Sequence, residues 1–307
     1  MKPTEIQAGQ FEVVSFPDPN IRQQASGRSL YAETGGLSTL KRVAIVYPSG
    51  NTTAVVFDQL LDTDRKILND QVMQAWKRGY PDESKIEQCC FVTLPCSSDA
   101  AARVEMFGGE FCGNAARSAA WLITGGKEYT GKLEVSGVDR SLEFTVKNGE
   151  VSVEMPLPVS GQFVTQVREG SLVWLDGIMQ LVVTQENQRK CQTPRMLLTR
   201  LLSENAYNLA DQPAVGVSYY DQKSGKAEFC VWVNEVDTVF DETACGSGTS
   251  AIGVALATMR GESVALPVIQ PSGESIATAA VFEEGTVTKS KIAGAVNVLY
   301  DGEFSLS

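Results

Sequence analysis

Histidine is absent from all 307 residues of the chain, and that absence narrows the chemistry sharply. Proton transfer near neutral pH falls most often to histidine, so a catalyst built here must use cysteine, aspartate, glutamate, lysine or tyrosine with shifted pKa values. Serine–histidine triads, cysteine–histidine hydrolases and HExxH zinc sites are all excluded. Basic charge is scarce as well: 26 Lys and Arg against 37 Asp and Glu leave a net charge of −11. Nucleic acid and anionic membrane surfaces require clustered Lys and Arg, so neither partner is expected, and the acidity reads as solubility. No apolar run approaches the ~18 residues of a membrane span. The opening MKPTEIQAGQ lacks the charged-then-apolar order of a signal peptide, and a cytoplasmic protein is expected. The seven cysteines are odd in number and scattered, which argues against a disulfide framework.

What is present is an ordinary globular composition, 43% hydrophobic and 21% charged, with length for two domains of about 150 residues. Residues 1–40 are polar, with little periodicity, and read as an N-terminal extension. KRVAIVYPSGNTTAVVFDQ (41–59) then reads as two β runs around a Ser-Gly-Asn turn. DTDRKILNDQVMQAWKRGY carries helical spacing between an Asp/Thr start and a Gly stop. CCFVTLP, RVEMF, KLEVSG, SLEFTVKNG and EVSVEMPLP follow as strand candidates. The second half repeats this texture with SLVWLDGIMQLVV, AVGVSYYD and EFCVWVNEV as strands and RMLLTRLLSENAYN as a helix. Three β-rich stretches close the chain: VALPVIQPSG, SIATAAVFEEG and VTKSKIAGAVNVLYDGEF.

Two stretches stand out because they match. FCGNAARSAAWLI (111–123) and ACGSGTSAIGVAL (244–256) each place a cysteine before small residues and then an apolar helix. Cys112 and Cys245 lie 133 residues apart, a spacing too long for a solenoid and suited to two homologous domains. A helix apolar on all sides is a buried one. The expected fold class is therefore α+β: two pseudo-symmetric domains, each a sheet wrapped on a central helix, divided near MPLPVSG (155–161). The N-terminal domain covers 41–156 and the C-terminal domain 157–289.

A cysteine at a helix N-terminus sits among unpaired N–H groups and the positive end of the dipole, which favour a thiolate. The small residues behind it, Gly113-Asn114 and Gly246-Ser247, leave those N–H groups approachable by a carboxylate. Two such motifs facing across a cleft would put a thiol on either side of an amino acid's α-carbon. That arrangement suits racemisation without a cofactor, one thiolate removing the α-proton and the opposite thiol returning one to the other face.

FCGNAAR and ETACGSGT resemble the two cysteine motifs of the diaminopimelate epimerase superfamily of cofactor-independent racemases and epimerases. SGN (49–51) and VSVEMPLP resemble further segments of that family. In motif form, GGEFCGNA and DETACGSGT are most similar to the histidine racemases of opine-metallophore pathways. The resemblance implies strongly curved, barrel-like sheets around the central helices and Cys112 and Cys245 as the acid/base pair. It implies no pyridoxal phosphate, no other cofactor and no metal. Gly113, Asn114, Gly246 and Ser247 would contact the α-carboxylate and Asn51 would reach the substrate. A homodimer is implied, as is a return of residues 290–307 to the first domain.

Departures from that family are informative. Where diaminopimelate epimerases carry Gly-Asn-Pro-His, this chain has LDGIMQLVV, with Gln180 or Asp176 available to fill the space. NEVDTVFDETAC lacks the arginine that engages a distal carboxylate. Glu110 and Glu242, each within three residues of a cysteine, are candidates for steering the thiols or binding the α-amino group, with Asp237 a third. Cys89, Cys90 and Cys96 do not complete a four-ligand metal set, and Cys191 and Cys230 read as incidental. The leading expectation is a racemase of a single-centre amino acid, with histidine as substrate. Alternatives are a diaminopimelate epimerase, a phenazine-type isomerase and a non-catalytic binding protein on the same scaffold.

Overall fold

The computed structural model describes residues 40–57, 62–79, 85–106, 108–158, 163–184, 192–235 and 237–305. Cys191 and residues 1–39 of the N-terminal extension lie outside the described residues. The order begins β1 (Leu40–Tyr47), β2 (Thr53–Phe57), α1 (Asp62–Gly79), β3 (Gln88–Thr93), β4 (Ala102–Met106) and α2 (Gly113–Thr124). It continues β5 (Tyr129–Val135), β6 (Leu142–Lys147), β7 (Glu150–Glu154), β8 (Val164–Gln166), β9 (Ser171–Leu175) and β10 (Ile178–Val183). Then come α3 (Pro194–Ser203), a 3-10 turn (Ala206–Asp211), β11 (Ala214–Asp221), β12 (Lys226–Val233) and β13 (Thr238–Glu242). The chain closes with α4 (Gly246–Arg260), β14 (Val264–Ile269), β15 (Ser275–Glu283), β16 (Thr286–Ala295) and β17 (Asn297–Ser305).

Strand pairing follows one recurring order. An antiparallel pair, β1–β2, leads through α1 to β3, which runs parallel to β2. An antiparallel β3–β4 pair then leads through α2 to β5, parallel to β4. Further on, antiparallel β9–β10 leads through α3 to β11, parallel to β10. The β11–β12 pair leads past β13 and α4 to β14, parallel to β12. β7 and β16 pair antiparallel and join the two series. β17 pairs antiparallel with β1, beside which it stands as β8 stands beside β9.

Both faces of the central strands are covered, which accounts for their nearly unbroken apolar runs. Val43, Ile45, Ala54 and Val56 point to α1 and its Leu68, Val72 and Trp76. Their neighbours Ala44, Val46 and Val55 point the other way, to Ala115, Ala116, Ala119 and Ala120 of α2. Met179, Leu181, Val215 and Val217 likewise meet Leu197, Leu198 and Leu201 of α3, and Val173, Ile178 and Val182 share a core with Ala251, Val254 and Ala255 of α4. Small side chains on α2 and α4 let the sheet close tightly on both helices. Each helix stops at a glycine in the left-handed region, Gly125 (φ 60°) and Gly261 (φ 67°).

The helix expected over RMLLTRLLSENAYN is shorter. It ends at Ser203, because Asn205, Tyr207 and Asn208 take positive φ and the chain tightens into the 3-10 turn; asparagine tolerates that conformation better than most residues. β8 and β13, short and strongly mixed in composition, are strands that the apolar pattern does not mark. No helix among the described residues is long and apolar enough to cross a membrane.

Candidate active site

Cys112 and Cys245 are the N-cap residues of α2 and α4, with almost the same backbone: φ −135°, ψ 111° for one and φ −128°, ψ 110° for the other. Each sulfur takes the place a serine or aspartate oxygen usually fills at this position. Cys112 Sγ accepts from the N–H of Ala115 at 3.5 Å, and Cys245 Sγ from that of Gly248 at 3.4 Å. The helix starts face each other. A Cβ added to Gly113 or to Gly246 would lie 2.9 Å from the same atom, Ile292 Cδ1, and one on Gly246 would also lie 3.4 Å from the backbone nitrogen of Asn114. A side chain at either place would have to displace the end of Ile292, which packs between the two N-termini.

Each thiol has its own polar partner. Cys112 Sγ donates to Gln88 Oε1 at 3.4 Å, and Gln88 is fixed by its Nε2 donating to Thr53 Oγ1 at 2.7 Å. Cys245 Sγ lies 3.4 Å from Ser247 Oγ, which receives a hydrogen bond from Gln180 Nε2 at 3.0 Å. Gln180 Oε1 accepts from Ser218 Oγ at 3.0 Å, so the glutamine forms a buried relay behind Ser247. The Cys245 N–H is taken by Gln270 Oε1 at 3.0 Å.

The two asparagines act as struts. Asn114 Nδ2 and Asn51 Nδ2 both donate to the carbonyl of Ala244, at 3.0 and 3.2 Å. Asn51 Nδ2 also donates to Glu242, and the Asn51 N–H donates to Thr243 Oγ1 at 2.6 Å. Thr243 Oγ1 in turn donates to Glu87 Oε1 at 2.7 Å. The loop that carries Asn51 is tight: Ser49, Gly50 and Asn51 all have positive φ, and a Cβ on Gly50 would lie 2.7 Å from Ala244 Cβ.

Carboxylates surround this arrangement. Burial pushes Glu242 up to about 8, and the neighbouring Glu87 and Glu110 push it in the same direction. Glu110 is raised too, chiefly by burial, against N–H groups of its own residue and Gly108 that lower it; its Oε2 has no hydrogen-bond partner among the described residues. Asp237 sits elsewhere, in the β12–β13 turn, where its carboxylate accepts from Trp232 Nε1 at 2.9 Å. The thiols differ from the expectation of a lowered pKa. Burial pushes both up to about 12, outweighing the N–H groups of Ala115 and Gly248, and Glu242 adds to the rise at each.

Gln88, Thr243, Gln270 and Ile292 were not singled out in the sequence. Thr243 lies inside the second motif and Gln88 just ahead of CCF, but only the fold brings them to the thiols.

Residues 43–304 match the family model described as the histidine racemase CntK N-terminal domain. The chain belongs to that family. A histidine racemase of Fusobacterium nucleatum subsp. nucleatum is 26% identical over 247 residues, which cover 74% of this chain and 85% of that protein. Among solved structures, a hydroxyproline epimerase of Agrobacterium vitis superposes with a TM-score of 0.58 at 14% identity, over 88% of this chain and 94% of that one. A phenazine biosynthesis protein of the PhzF family from Enterococcus faecalis does so with a TM-score of 0.53 at 13% identity, over 86% and 99%. The fold is thus the sheet-dominated α+β fold of these proteins, and the chain is an isomerase of the racemase and epimerase type acting on an amino acid.

Proposed function

We propose that the protein racemises a single amino acid, histidine, by a two-base transfer between Cys112 and Cys245 without any cofactor. The matched N-cap geometry of the two cysteines, on helix starts that meet at Ile292, is the observation that carries this reading. In the forward sense one sulfur, as thiolate, takes the α-proton. The C–H electron pair moves into the substrate carboxylate, and the opposite thiol gives its proton to the other face. The thiol and thiolate have then exchanged places. An α-proton is a very weak acid, so an effective base must itself be strong, and burial that raises the thiol pKa supplies that strength once a thiolate forms. The N–H groups of the helix starts are placed to stabilise the charge that develops on the carboxylate.

Histidine fits the surroundings because Glu87, Glu110 and Glu242 offer acceptors to an α-ammonium and to imidazole N–H groups. The stretch before the second cysteine offers no arginine to a distal carboxylate, which disfavours diaminopimelate. The family match and the Fusobacterium relative support the same substrate. We read the recurring strand order as two pseudo-symmetric domains, 41–156 and 157–289, with residues 290–307 returning to the first and the cleft between them holding the substrate.

The decisive test is α-proton exchange in D2O, followed by NMR, on L- and D-histidine, other single amino acids and diaminopimelate. Deuterium uptake at Cα of histidine is expected, with inversion reduced at least ~10³-fold in both Cys112→Ala and Cys245→Ala. Retention of inversion in either variant would remove the two-base mechanism, and exchange confined to another amino acid would replace the substrate.

A further inference from the structure

Arg117 heads the fully buried side chains by volume, and the reaction described above gives it no task. It lies one turn beyond Asn114 on α2. Its Nη2 donates to Asn114 Oδ1 at 3.3 Å and to the carbonyl of Pro48, at the start of the loop that carries Asn51. Nε and Nη1 have no partner among the described residues. A buried guanidinium with donors unmet costs stability, so packing alone does not account for it.

The geometry points to an orienting task. The Asn114 amide can be turned two ways, and only one of them lets its NH2 group donate to the Ala244 carbonyl. In that orientation Oδ1 faces the guanidinium, a group that can only donate. The reversed amide would set two donors against each other and two acceptors against each other. Ala244 immediately precedes Cys245, and its carbonyl is also the acceptor for Asn51.

We propose that Arg117 is a positioning residue: by setting the Asn114 amide and the Pro48–Asn51 loop, it fixes Ala244 and hence the placement of Cys245 opposite Cys112. The proposal rests on the two-cysteine reading of the site. Both acceptors are served by the one nitrogen Nη2, whose two N–H bonds are held in fixed directions by the planar guanidinium; the freely rotating ammonium of lysine keeps the charge without those directions. Crowding has a similar effect at constant charge, because a Cβ on Gly294 would lie 2.5 Å from Nη1.

The test uses the full chain and its variants Arg117→Lys, Asn114→Ala, the double variant and Gly294→Ala. Two readouts are taken: kcat and KM for racemisation, and the rate of Cys245 alkylation by iodoacetamide, followed by mass spectrometry. Arg117→Lys is expected to lower kcat ~10²-fold with KM changed less than ~3-fold, since a small misplacement of a reacting group costs on that order. It should also change the Cys245 alkylation rate at least ~5-fold. In the Asn114→Ala background the same substitution should cost at most ~10-fold, because one of its two intermediaries is already gone and only the Pro48 contact remains. A Lys variant with the parent kcat and alkylation rate, or losses that simply multiply in the double variant, would overturn the proposal. Should Arg117→Lys fail to fold, Gly294→Ala alone and with Asn114→Ala carries the same comparison. Alkylation needs no substrate, so it decides the role of Arg117 even if the parent protein racemises none of the amino acids tried.

Discussion

At the scale of single residues, burial outweighs the helix dipole. Cys112 and Cys245 stand at helix starts whose N–H groups favour a thiolate, and the N–H groups of Ala115 and Gly248 do point at the sulfurs. Removing the sulfurs from water nevertheless pushes both up to about 12. Asn51 and Asn114, expected to contact the substrate, also hold the protein together around it. Both NH2 groups donate to the Ala244 carbonyl, and that of Asn51 donates to Glu242 as well, so the two side chains brace the site. Glu242 yields a pH prediction. The fold holds its proton more tightly than the unfolded chain does, at about 8 against an ordinary 4.5. Its contribution is therefore complete below the unfolded value and is lost as pH rises through about 8. Thermal unfolding should show Tm falling between about pH 4.5 and pH 8 and levelling off above that, and Glu242→Gln should fall less over the same range, by ~3 °C or more. Parallel curves for the two proteins would place the ionisation on another group.

At the scale of elements, the proposed mechanism gives the two cysteines a second task beside capping their helices, and substitution can separate the two. Serine is a better N-cap than cysteine, and alanine cannot cap at all. Cys112→Ser is therefore expected to hold Tm within ~1 °C of the parent while losing inversion, whereas Cys112→Ala should also lose ~1 kcal/mol of stability. Circular dichroism melts alongside the D2O assay check both halves of that statement. The two apolar helices and the central strands were legible because their residues are largely buried, and β6, β7, β15 and β16 because they alternate buried with exposed residues. α3 was overextended because propensity in LLSENAYN does not show that Asn205 turns left-handed. β13 was missed because only its pairing with β12 makes TVFDE a strand; most of its side chains are exposed or half-buried.

At the scale of the whole molecule, the last strand matters more than its position at the chain end suggests. β17 pairs with β1 along nearly its full length, from Leu40↔Ser305 to Tyr47↔Asn297. Truncation before Asn297 would leave β1 as an unpaired edge next to strands buried on both faces. We expect a loss of about 10 °C in Tm or more, measured by calorimetry on the truncated and full chains, with racemisation lost in parallel at 37 °C. An unchanged Tm would mean that the β1–β17 pairing contributes little to the fold.

The sequence by itself narrowed the chemistry available and pointed to its candidate carriers. Lack of histidine left cysteine and carboxylate as the proton-transfer groups, and the repeated Cys-Gly-small context before an apolar helix singled out Cys112 and Cys245. Local patterns suffice for that, because a helix start and its first small residues are contiguous in the chain. Only the tertiary structure decided what surrounds the thiols. Ile292 between the two glycines, Gln180 behind Ser247 and Gln88 on Cys112 are brought there by pairings between strands far apart in sequence. The balance between burial and the helix N–H groups, which sets the pKa of each thiol, depends on those neighbours and has no local signature.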